Sequence, residues 1–351
     1  MHKAWRPLEV ALVMPASGAD LVASFNRIPI GRKPYIVSFE SHLPRLFNFE
    51  DSSAFRYFAQ RLASDRCRRI IPISEYARRM FMRQHANGTV AKTLETKAAT
   101  VVYPAVDVLD LPQLHKTATV NPGQPLRVFF VGNHFSRKGG PALLLAAQEL
   151  ARRKLPVEFH IVSKLTVGGV NAVWTDPTDP SFFEDYLRLM GLPNVVHHGS
   201  LPNVQVMALM RACDVSLLPT LSDSFGYSII ESLGNGVPVI ATNTCAIPEL
   251  VREGETGHLL QIDTDDHGEW SYLFKMDRNV IGYRRILRET FHDLSVQIVE
   301  VLAKLLDSPQ HLADMKIAAH ADASARFDAR RQSALLDNLY EVALDAGPPT
   351  A

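Results

Sequence analysis

Two carboxylates, Asp223 and Glu231, lie eight residues apart across a glycine-containing turn. Asp and Glu side chains accept hydrogen bonds from the hydroxyl pairs of a ribose or a hexose. A second segment, residues 130–144, opens from an apolar run into a glycine-rich turn that carries Arg137 and Lys138. Glycines let a backbone approach phosphate, and two cations offset the charge of a diphosphate. The two segments together predict a ligand that has both hydroxyl groups and phosphates.

Apolar runs on either side of the carboxylates predict the elements that position them. Residues 215–218 indicate a buried strand, residues 227–235 an apolar-faced helix that Gly236 ends, and residues 237–241 a second buried strand. The N-terminus of that helix would face the loop and present unpaired N–H groups and a partial positive charge to an anion. A nucleotide sugar fits this combination of groups.

Residues 218–242, with 247–251 and 254–260, resemble the acid-x7-acid signature of retaining GT-B-fold glycosyltransferases of family 4, the group 1 type. In that family the first acid, usually Glu, contacts the donor sugar and the second contacts the nucleotide ribose. The resemblance therefore implies the first role for Asp223, whose side chain is one methylene shorter, and the second for Glu231. The donor-binding residues that it implies are Gly132, Asn133, Ser224, Phe225, Gly226, Tyr227 and Glu231.

The glycine-rich turn matches the same family, which carries Gly-Arg near the strand end and Lys-Gly before the helix. Asn133 stands in the arginine position, and Arg137 with Lys138 resembles the variant in which the two cations are adjacent. The resemblance implies that Arg137, Lys138 and Asp223 are catalytic and that no metal or other cofactor is bound. It also implies a front-face mechanism, in which the departing phosphate oxygen takes the acceptor proton.

The N-terminal half carries a weaker match to the family. The predicted strand Tyr35–Phe39 is followed by Glu40 and His42, which resemble a loop that touches the donor sugar, and these two residues are the acceptor-side candidates. This strand normally lies farther along the chain, so we expect an abbreviated N-terminal domain, which is either minimal or lacks its first strands.

Alternating strands and helices on both sides of a turn-rich segment, residues 111–125, predict an α/β fold with two doubly wound Rossmann-like domains and an interdomain cleft. We expect residues 1–115 to form the short acceptor-side domain and residues 123–327 the donor-binding domain. Residues 328–346 would be a C-terminal helix that packs back toward the N-terminal domain. The predicted strands are 35–39, 69–73 and 100–103 before the segment, and 126–131, 158–162, 195–198, 215–218 and 237–241 after it.

Zero net charge conceals an asymmetry along the 351 residues. Residues 1–105 carry 16 Lys and Arg against 8 Asp and Glu, and the remainder carries 21 against 29. In the first part arginines alternate with aromatic residues, a mixture that suits an anionic membrane surface, a phosphorylated acceptor or solvated helix faces. Nucleic acid is not expected, since no recognition motif accompanies the charge.

Three scattered cysteines, Cys67, Cys213 and Cys245, have no metal-ligand spacing and indicate small buried side chains in a reducing compartment. No apolar run is long enough to cross a membrane, and residues 1–7 lack the apolar core of a signal peptide. We expect a cytoplasmic protein. Association with the inner face of the membrane is an alternative.

These patterns predict an enzyme that moves a hexosyl group from a nucleotide-diphosphate sugar to a glycan or lipid-linked acceptor with retention of configuration, in the synthesis of a polysaccharide. One alternative is a non-catalytic nucleotide-sugar-binding subunit, because the donor half is complete and the acceptor half is short. Another is a phosphorylase or a sugar-nucleotide epimerase on the same fold. Residues 268–293, with aromatic residues among charges, indicate an insertion.

Overall fold

A computed structural model describes residues 10–14, 18–117, 123–168 and 174–345. The strands are β1 (Ala11–Val13), β2 (Val22–Phe25), β3 (Ile28–Ile30), β4 (Tyr35–Phe39), β5 (Cys67–Pro72), β6 (Leu126–Val131), β7 (Val157–Val162), β8 (Val195–Gly199), β9 (Val215–Leu218), β10 (Val239–Thr242) and β11 (Gly257–Leu260). The helices are α1 (Ser53–Ala63), α2 (Glu75–His85), α3 (Ala91–Lys97), α4 (Leu111–Thr117), α5 (Gly140–Arg152), α6 (Glu184–Arg188), α7 (Asn203–Arg211), α8 (Tyr227–Gly234), α9 (Ile247–Leu250), α10 (Ile281–Asp307), α11 (Pro309–Arg326) and α12 (Ala329–Asp345). Short 3-10 turns cover Pro180–Phe183 and Leu189–Gly191.

The chain forms two compact units. The first joins the described residues up to Ala105 with α12, and the second runs from Val106 to Asp328. The segment predicted as a linker, 111–125, begins with α4, which belongs to the second unit, and its residues 118–122 lie outside the described part. The predicted domains also include residues 1–9, 15–17, 169–173 and 346, which lie outside the described part too.

Parallel pairs form the sheets of the first unit. Strand β4 lies between β2 and β5, and β1 pairs with β3. The β4 sequence is almost entirely apolar because parallel strands are covered on both faces. Helices α1 and α2 begin at serine caps: the Ser52 hydroxyl accepts from the Phe55 N–H at 3.1 Å, and the Ser74 hydroxyl from the Ala77 N–H at 2.9 Å. These helices cover the core around β4.

Helix α12 closes a small apolar cluster in the first unit. Its Ala343 is buried with Ile36 of β4, Ile71 of β5 and Val102. The residues of α12 that pack around them are Leu336, Leu339 and Tyr340. The last helix is therefore part of the first unit, although more than two hundred residues of the second unit precede it in the chain.

The second unit contains a six-stranded parallel sheet in the order β11-β10-β9-β6-β7-β8. From β6 the chain adds β7 and β8 on one side and then β9, β10 and β11 on the other. The order therefore reverses between β6 and β9, which pair in parallel through Val128 and Val215. In such sheets ligands bind outside the carboxyl ends of the strands at this switch point.

Most predicted strands are confirmed, with ends that agree within two residues. Residues 100–103 are not a strand: Val102 donates one hydrogen bond to the Pro72 carbonyl at 3.1 Å, and Pro104, which has no N–H, cannot extend the ladder. The helix predicted over 227–235 ends at Gly234, and Gly236 follows with φ of 68°. Strands β1, β2, β3 and β11 are not among the predicted strands.

The segment 268–293, predicted to be an insertion, contributes several side chains to the core of the second unit, whereas residues 274–277 are exposed. Trp270, Tyr283, Leu287 and Phe291 are buried in the main cluster of the second unit, and α10 starts inside the segment and packs along α5. All three cysteines are free and buried, as predicted. Among the described residues no helix is both long and apolar enough to cross a membrane.

Candidate functional site

Two loops meet at the switch point of the six-stranded sheet. The first follows β6, covers residues 132–139 and leads into α5, whereas the second follows β9, covers residues 219–226 and leads into α8. Both helices direct their N-terminal N–H groups toward the carboxyl edge of the sheet, because each helix starts where a strand loop ends. We call these the 132–139 turn and the 219–226 loop.

Backbone contacts join the turn to the loop. The carbonyl oxygen of Arg137 accepts from the Leu221 N–H at 2.9 Å and from the Thr220 hydroxyl at 3.0 Å. The Arg137 guanidinium donates in return to the Ser222 carbonyl. Thr242, at the end of β10, donates from its hydroxyl to the Thr220 carbonyl at 2.6 Å. Three neighbouring strands thus fix the position of the loop.

Gly139 allows this close approach. Its φ is 84°, and a Cβ at this position would lie 1.9 Å from the Pro219 carbonyl oxygen. A side chain would overlap the loop and would also disfavour the left-handed backbone. Gly140 next to it faces the Phe135 ring, where a Cβ would lie 2.3 Å from a ring carbon. The glycines predicted to admit phosphate also serve to pack the two loops together.

Lys138 and Asp223 form an ion pair across the two loops. The two side chains are only 17% and 14% exposed, so water screens the pair little. Burial by itself would raise the pKa of Asp223, but the Lys138 ammonium and the Arg137 guanidinium outweigh burial and hold that pKa below its usual range. Asp223 is therefore a carboxylate at neutral pH. The Lys138 stem lies over Gly132, where a Cβ would be 2.9 Å from Lys138 Cγ.

Glu231 lies in the second turn of α8 and has a different environment from Asp223. It is partly buried, and no hydrogen bond reaches its carboxylate from any residue that the structure describes. Burial raises the pKa of Glu231. A partly buried carboxylate without a donor is suited to accept hydrogen bonds from a ligand.

The remaining predicted donor residues occupy the same two loops. Phe225 is buried and its ring lies 5.1 Å from that of Tyr227, which is 46% exposed. Gly226 precedes α8 with φ of 89°, and Ser224 is partly buried. Asn133 is exposed on the turn beside Gly132. The structure therefore brings the predicted catalytic and donor-binding residues of the second unit to one edge of its sheet.

Sequence reasoning missed a buried support beneath the 132–139 turn. The Ser136 hydroxyl donates to the Asp176 carboxylate, which also accepts from the Gly168 N–H at 2.7 Å. Burial raises the pKa of Asp176, and the hydrogen bonds from Ser136 and Gly168 oppose that rise. Ser136 and Asp176 lie 40 residues apart, so no local pattern connects them. His134 was missed as well.

Glu40 and His42, the acceptor-side candidates, lie in the first unit after β4. Glu40 accepts from the Arg45 guanidinium at 2.9 Å and from the Asn26 amide at 3.2 Å. The His42 ring packs edge-on against Phe47 with the centroids 5.1 Å apart. These contacts fix both side chains within the loop, and a role in acceptor binding stays a prediction.

His42 should make the first unit sensitive to mild acid. Burial, followed by the charges of Arg45 and Arg83, lowers the pKa of His42 to about 4. In the unfolded chain a histidine has a pKa of about 6.5, so the unfolded state binds the extra proton between these values, and stability is lost as the pH falls through that window. We expect His42→Asn to reduce the loss of stability between pH 7 and pH 4.5 by about 2 to 3 kcal/mol.

Urea unfolding of the wild type and of His42→Asn at both pH values measures this effect. His311→Asn, which changes an exposed histidine of α11, is the matched control. Equal pH dependence of the wild type and His42→Asn would contradict the assignment.

Some basic and aromatic residues of the first unit make contacts within the fold. Arg61 donates to the carbonyls of Pro29 at 2.5 Å and Gly31 at 2.8 Å. The Lys97 ammonium donates to the Ser64 carbonyl at 2.6 Å, close to the end of α1. The aromatic residues of this stretch that are buried are Phe55, Phe58, Tyr76 and Phe81. These helices therefore face the core with their aromatic side, and the membrane contact stays a prediction.

The acidic run 263–267 is organised by its own loop. Asp265 accepts from the backbone N–H groups of His267 at 3.0 Å and Glu269 at 3.1 Å, and Lys275 lies 3.4 Å from its carboxylate. No group of three or more metal-ligating side chains is found in the part of the chain that the structure describes. The absence of a metal from the reaction stays a prediction.

Two α/β units with parallel sheets, the second with its site at the switch point, define the GT-B class of folds. The Anabaena protein Alr3699/HepE, solved in complex with UDP and glucose, superposes on 92% of this chain and 77% of its own with a TM-score of 0.56 and 18% identity. Sucrose-phosphate synthase from Thermosynechococcus elongatus superposes on 94% and 75% with a TM-score of 0.61 and 14% identity. At these identities the likeness concerns the fold, and it confirms the predicted fold class.

Residues 113–269 match the model of the family described as glycosyl transferases group 1. This span contains the 132–139 turn and the 219–226 loop and confirms the resemblance at the level of group 1 glycosyltransferases, whereas family 4 and retention of configuration stay predictions. D-inositol 3-phosphate glycosyltransferase of Corynebacterium kroppenstedtii is 27% identical over 179 residues, which are 49% of this chain and 38% of that protein. The chain thus spans well under half the length of this curated relative.

Proposed function

We propose that this chain transfers a hexosyl group from a nucleotide-diphosphate sugar to a glycan or lipid-linked acceptor, with retention of configuration. The observation that carries the proposal is the ion pair between Lys138 and Asp223. This ion pair joins the 132–139 turn to the 219–226 loop at the switch point of a parallel sheet, where nucleotide ligands bind. The likeness to proteins named glycosyltransferases and to a fold solved with UDP and glucose supports the same function.

The free site holds the two charges that a donor would separate. A diphosphate at the N-termini of α5 and α8 would take Lys138 as a counter-ion, together with Arg137. Asp223 would then accept hydrogen bonds from hydroxyl groups of the donor sugar, and Glu231 from the ribose. In this proposal Lys138 exchanges a carboxylate for a phosphate, so its charge stays compensated before and after donor binding.

Transfer would break the bond between the sugar C1 and the β-phosphate oxygen and form a bond from C1 to the acceptor oxygen on the same face. The acceptor proton would go to the departing phosphate oxygen, so no protein base is needed. Arg137 and Lys138 would stabilise the charge that develops on the diphosphate. We propose that these cations replace a metal ion, which predicts the same rate with and without EDTA.

A thermal-shift screen with UDP-, GDP-, ADP- and dTDP-sugars tests donor binding. A ligand at 100 times its Kd stabilises the folded state by about 2.7 kcal/mol, so the correct donor should raise the Tm by several degrees. We expect Glu231→Ala to lose most of this shift, because the ribose then has no carboxylate to bind. The Tm of Glu231→Ala without ligand should stay near that of the wild type, since the carboxylate has no partner to lose.

Glu289→Ala, which removes a 64% exposed carboxylate of α10, is the control. A shift of the same size in the wild type and in Glu231→Ala would sink the ribose assignment. Binding without transfer to any glycan or lipid-linked acceptor would favour the non-catalytic subunit. Release of the sugar to inorganic phosphate, or an epimer formed without acceptor, would favour the phosphorylase or the epimerase.

A further inference from the structure

His134 lies on the 132–139 turn, two residues beyond the Gly132 that Lys138 covers. Its backbone carbonyl accepts from the Lys138 N–H at 3.0 Å, so the residue takes part in the turn itself. The side chain is partly buried, and its Nδ1 is shielded from solvent. Within the described residues no group forms a hydrogen bond with Nδ1. Shielded polar atoms without a partner are rare in folded proteins and ask for an explanation.

The charged groups around the ring would favour an anion bound beside it. Burial lowers the pKa of the ring, the charges of Arg137 and Lys138, on the same turn, lower it further, and the charge of Asp176, which lies beneath the turn, raises it. Asp176 is already occupied by Ser136 and Gly168. Two cations and one carboxylate thus act on the ring, and in the proposed function Lys138 exchanges its partner Asp223 for a phosphate, which would bring the anion close to the ring.

We infer that the His134 ring is a further ligand of the diphosphate group of the donor, beside Arg137 and Lys138. This inference rests on the proposed function, because it takes a nucleotide-diphosphate sugar as the ligand. The imidazole would donate a hydrogen bond from a ring nitrogen to a phosphate oxygen, and in its protonated form it would also contribute charge. It is a binding residue that touches the substrate and takes no proton from the acceptor.

The inference predicts how donor affinity changes with pH. Burial, followed by the charges of Arg137 and Lys138, lowers the pKa of His134 in the free protein. A bound diphosphate raises that pKa again, because it favours the imidazolium. The complex then binds a proton more readily than the free protein, so donor affinity rises as the pH falls through the pKa of the complex. Protonation of Glu231 would have the opposite effect on donor affinity, because a protonated carboxyl would bind the ribose hydroxyls more weakly.

Calorimetric titration with UDP-glucose and GDP-mannose at pH 6 and pH 8 tests the inference. The phosphates of these sugar diphosphates stay fully ionised over that range, so the ligand itself does not titrate. We expect His134→Gln to weaken donor binding at pH 6 by about tenfold and to remove the gain between pH 8 and pH 6. His134→Lys should bind within a few-fold of the wild type at pH 6 and show no such gain. His311→Gln is the matched control on an exposed helix position.

The outcomes separate this inference from the proposed function. If the wild type binds neither these two nor any other sugar diphosphate of the screen, both fail. If it binds and His134→Gln keeps the same affinity and the same pH dependence, the role of His134 is overturned and the proposed function stands. If His134→Lys binds as weakly as His134→Gln, or if His134→Gln unfolds and His134→Lys does not bind, His134 supports the turn and is not a ligand.

Discussion

Replacing Lys138 by methionine is expected to lower the rate of sugar transfer by about 100- to 1,000-fold. In the proposed function the Lys138 ammonium leaves Asp223 for the diphosphate, whereas the Arg137 guanidinium donates to the Ser222 carbonyl. Methionine keeps the apolar stem that lies over Gly132, so the turn loses the charge without losing its packing. The loss should appear in kcat as well as in donor affinity, since charge grows on the phosphate as the bond breaks.

Steady-state kinetics with the donor found by the thermal-shift screen measure this effect. Lys304→Met, which removes an exposed ammonium of α10, is the control and should match the wild type. Lys138→Met also leaves Asp223 without its partner in a largely buried site, which should raise the pKa of the Asp223 carboxyl and lower the stability of the protein. Adding Asp223→Asn should recover stability without recovering activity. A kcat for Lys138→Met within threefold of the wild type would contradict the assignment.

Gly139→Ala is expected to disrupt the site by geometry alone. The new Cβ would lie 1.9 Å from the Pro219 carbonyl oxygen at a φ of 84°, so the turn and the loop must move apart. We expect unfolding of the second unit to become easier by about 2 to 4 kcal/mol. Donor binding should be lost under conditions where the protein is still folded, because the Arg137 and Lys138 contacts depend on that approach.

Denaturant unfolding and donor titration of the same variant measure the two effects. Gly191→Ala is the control, since no atom lies within 4 Å of a Cβ there and its φ is not positive. Normal stability together with normal donor affinity in Gly139→Ala would show that the two loops do not need this contact.

The sequence predicted the strands and turns of the second unit because local patterns encode them. Residues 215–218 are apolar except for Ser216 and are followed by Pro219, and the glycine-rich turn after residue 131 marks a helix start. The missed strands have weak local signals. Strand β3 contains Pro29, and β11 starts at Gly257, which is needed because a Cβ there would lie 1.9 Å from the Val239 carbonyl oxygen.

The site residues could be named from the sequence, but their partners could not. Lys138 and Asp223 are 85 residues apart, and they meet only because β6 and β9 are neighbours in the sheet. Strand order depends on packing of the whole unit and is not written in any window of the sequence. The same reason hides Asp176 beneath Ser136 and leaves His134 looking like an ordinary turn residue.

The position of α12 has a consequence for synthesis of the chain on the ribosome. The cluster of Ile36, Ile71 and Val102 stays uncovered until Ala343 has been made, whereas the second unit is complete at Asp328. Domains generally fold as units while the chain grows from its N-terminus. The second unit can therefore reach its native state first. The first unit, most of which is translated earlier, completes its folding later.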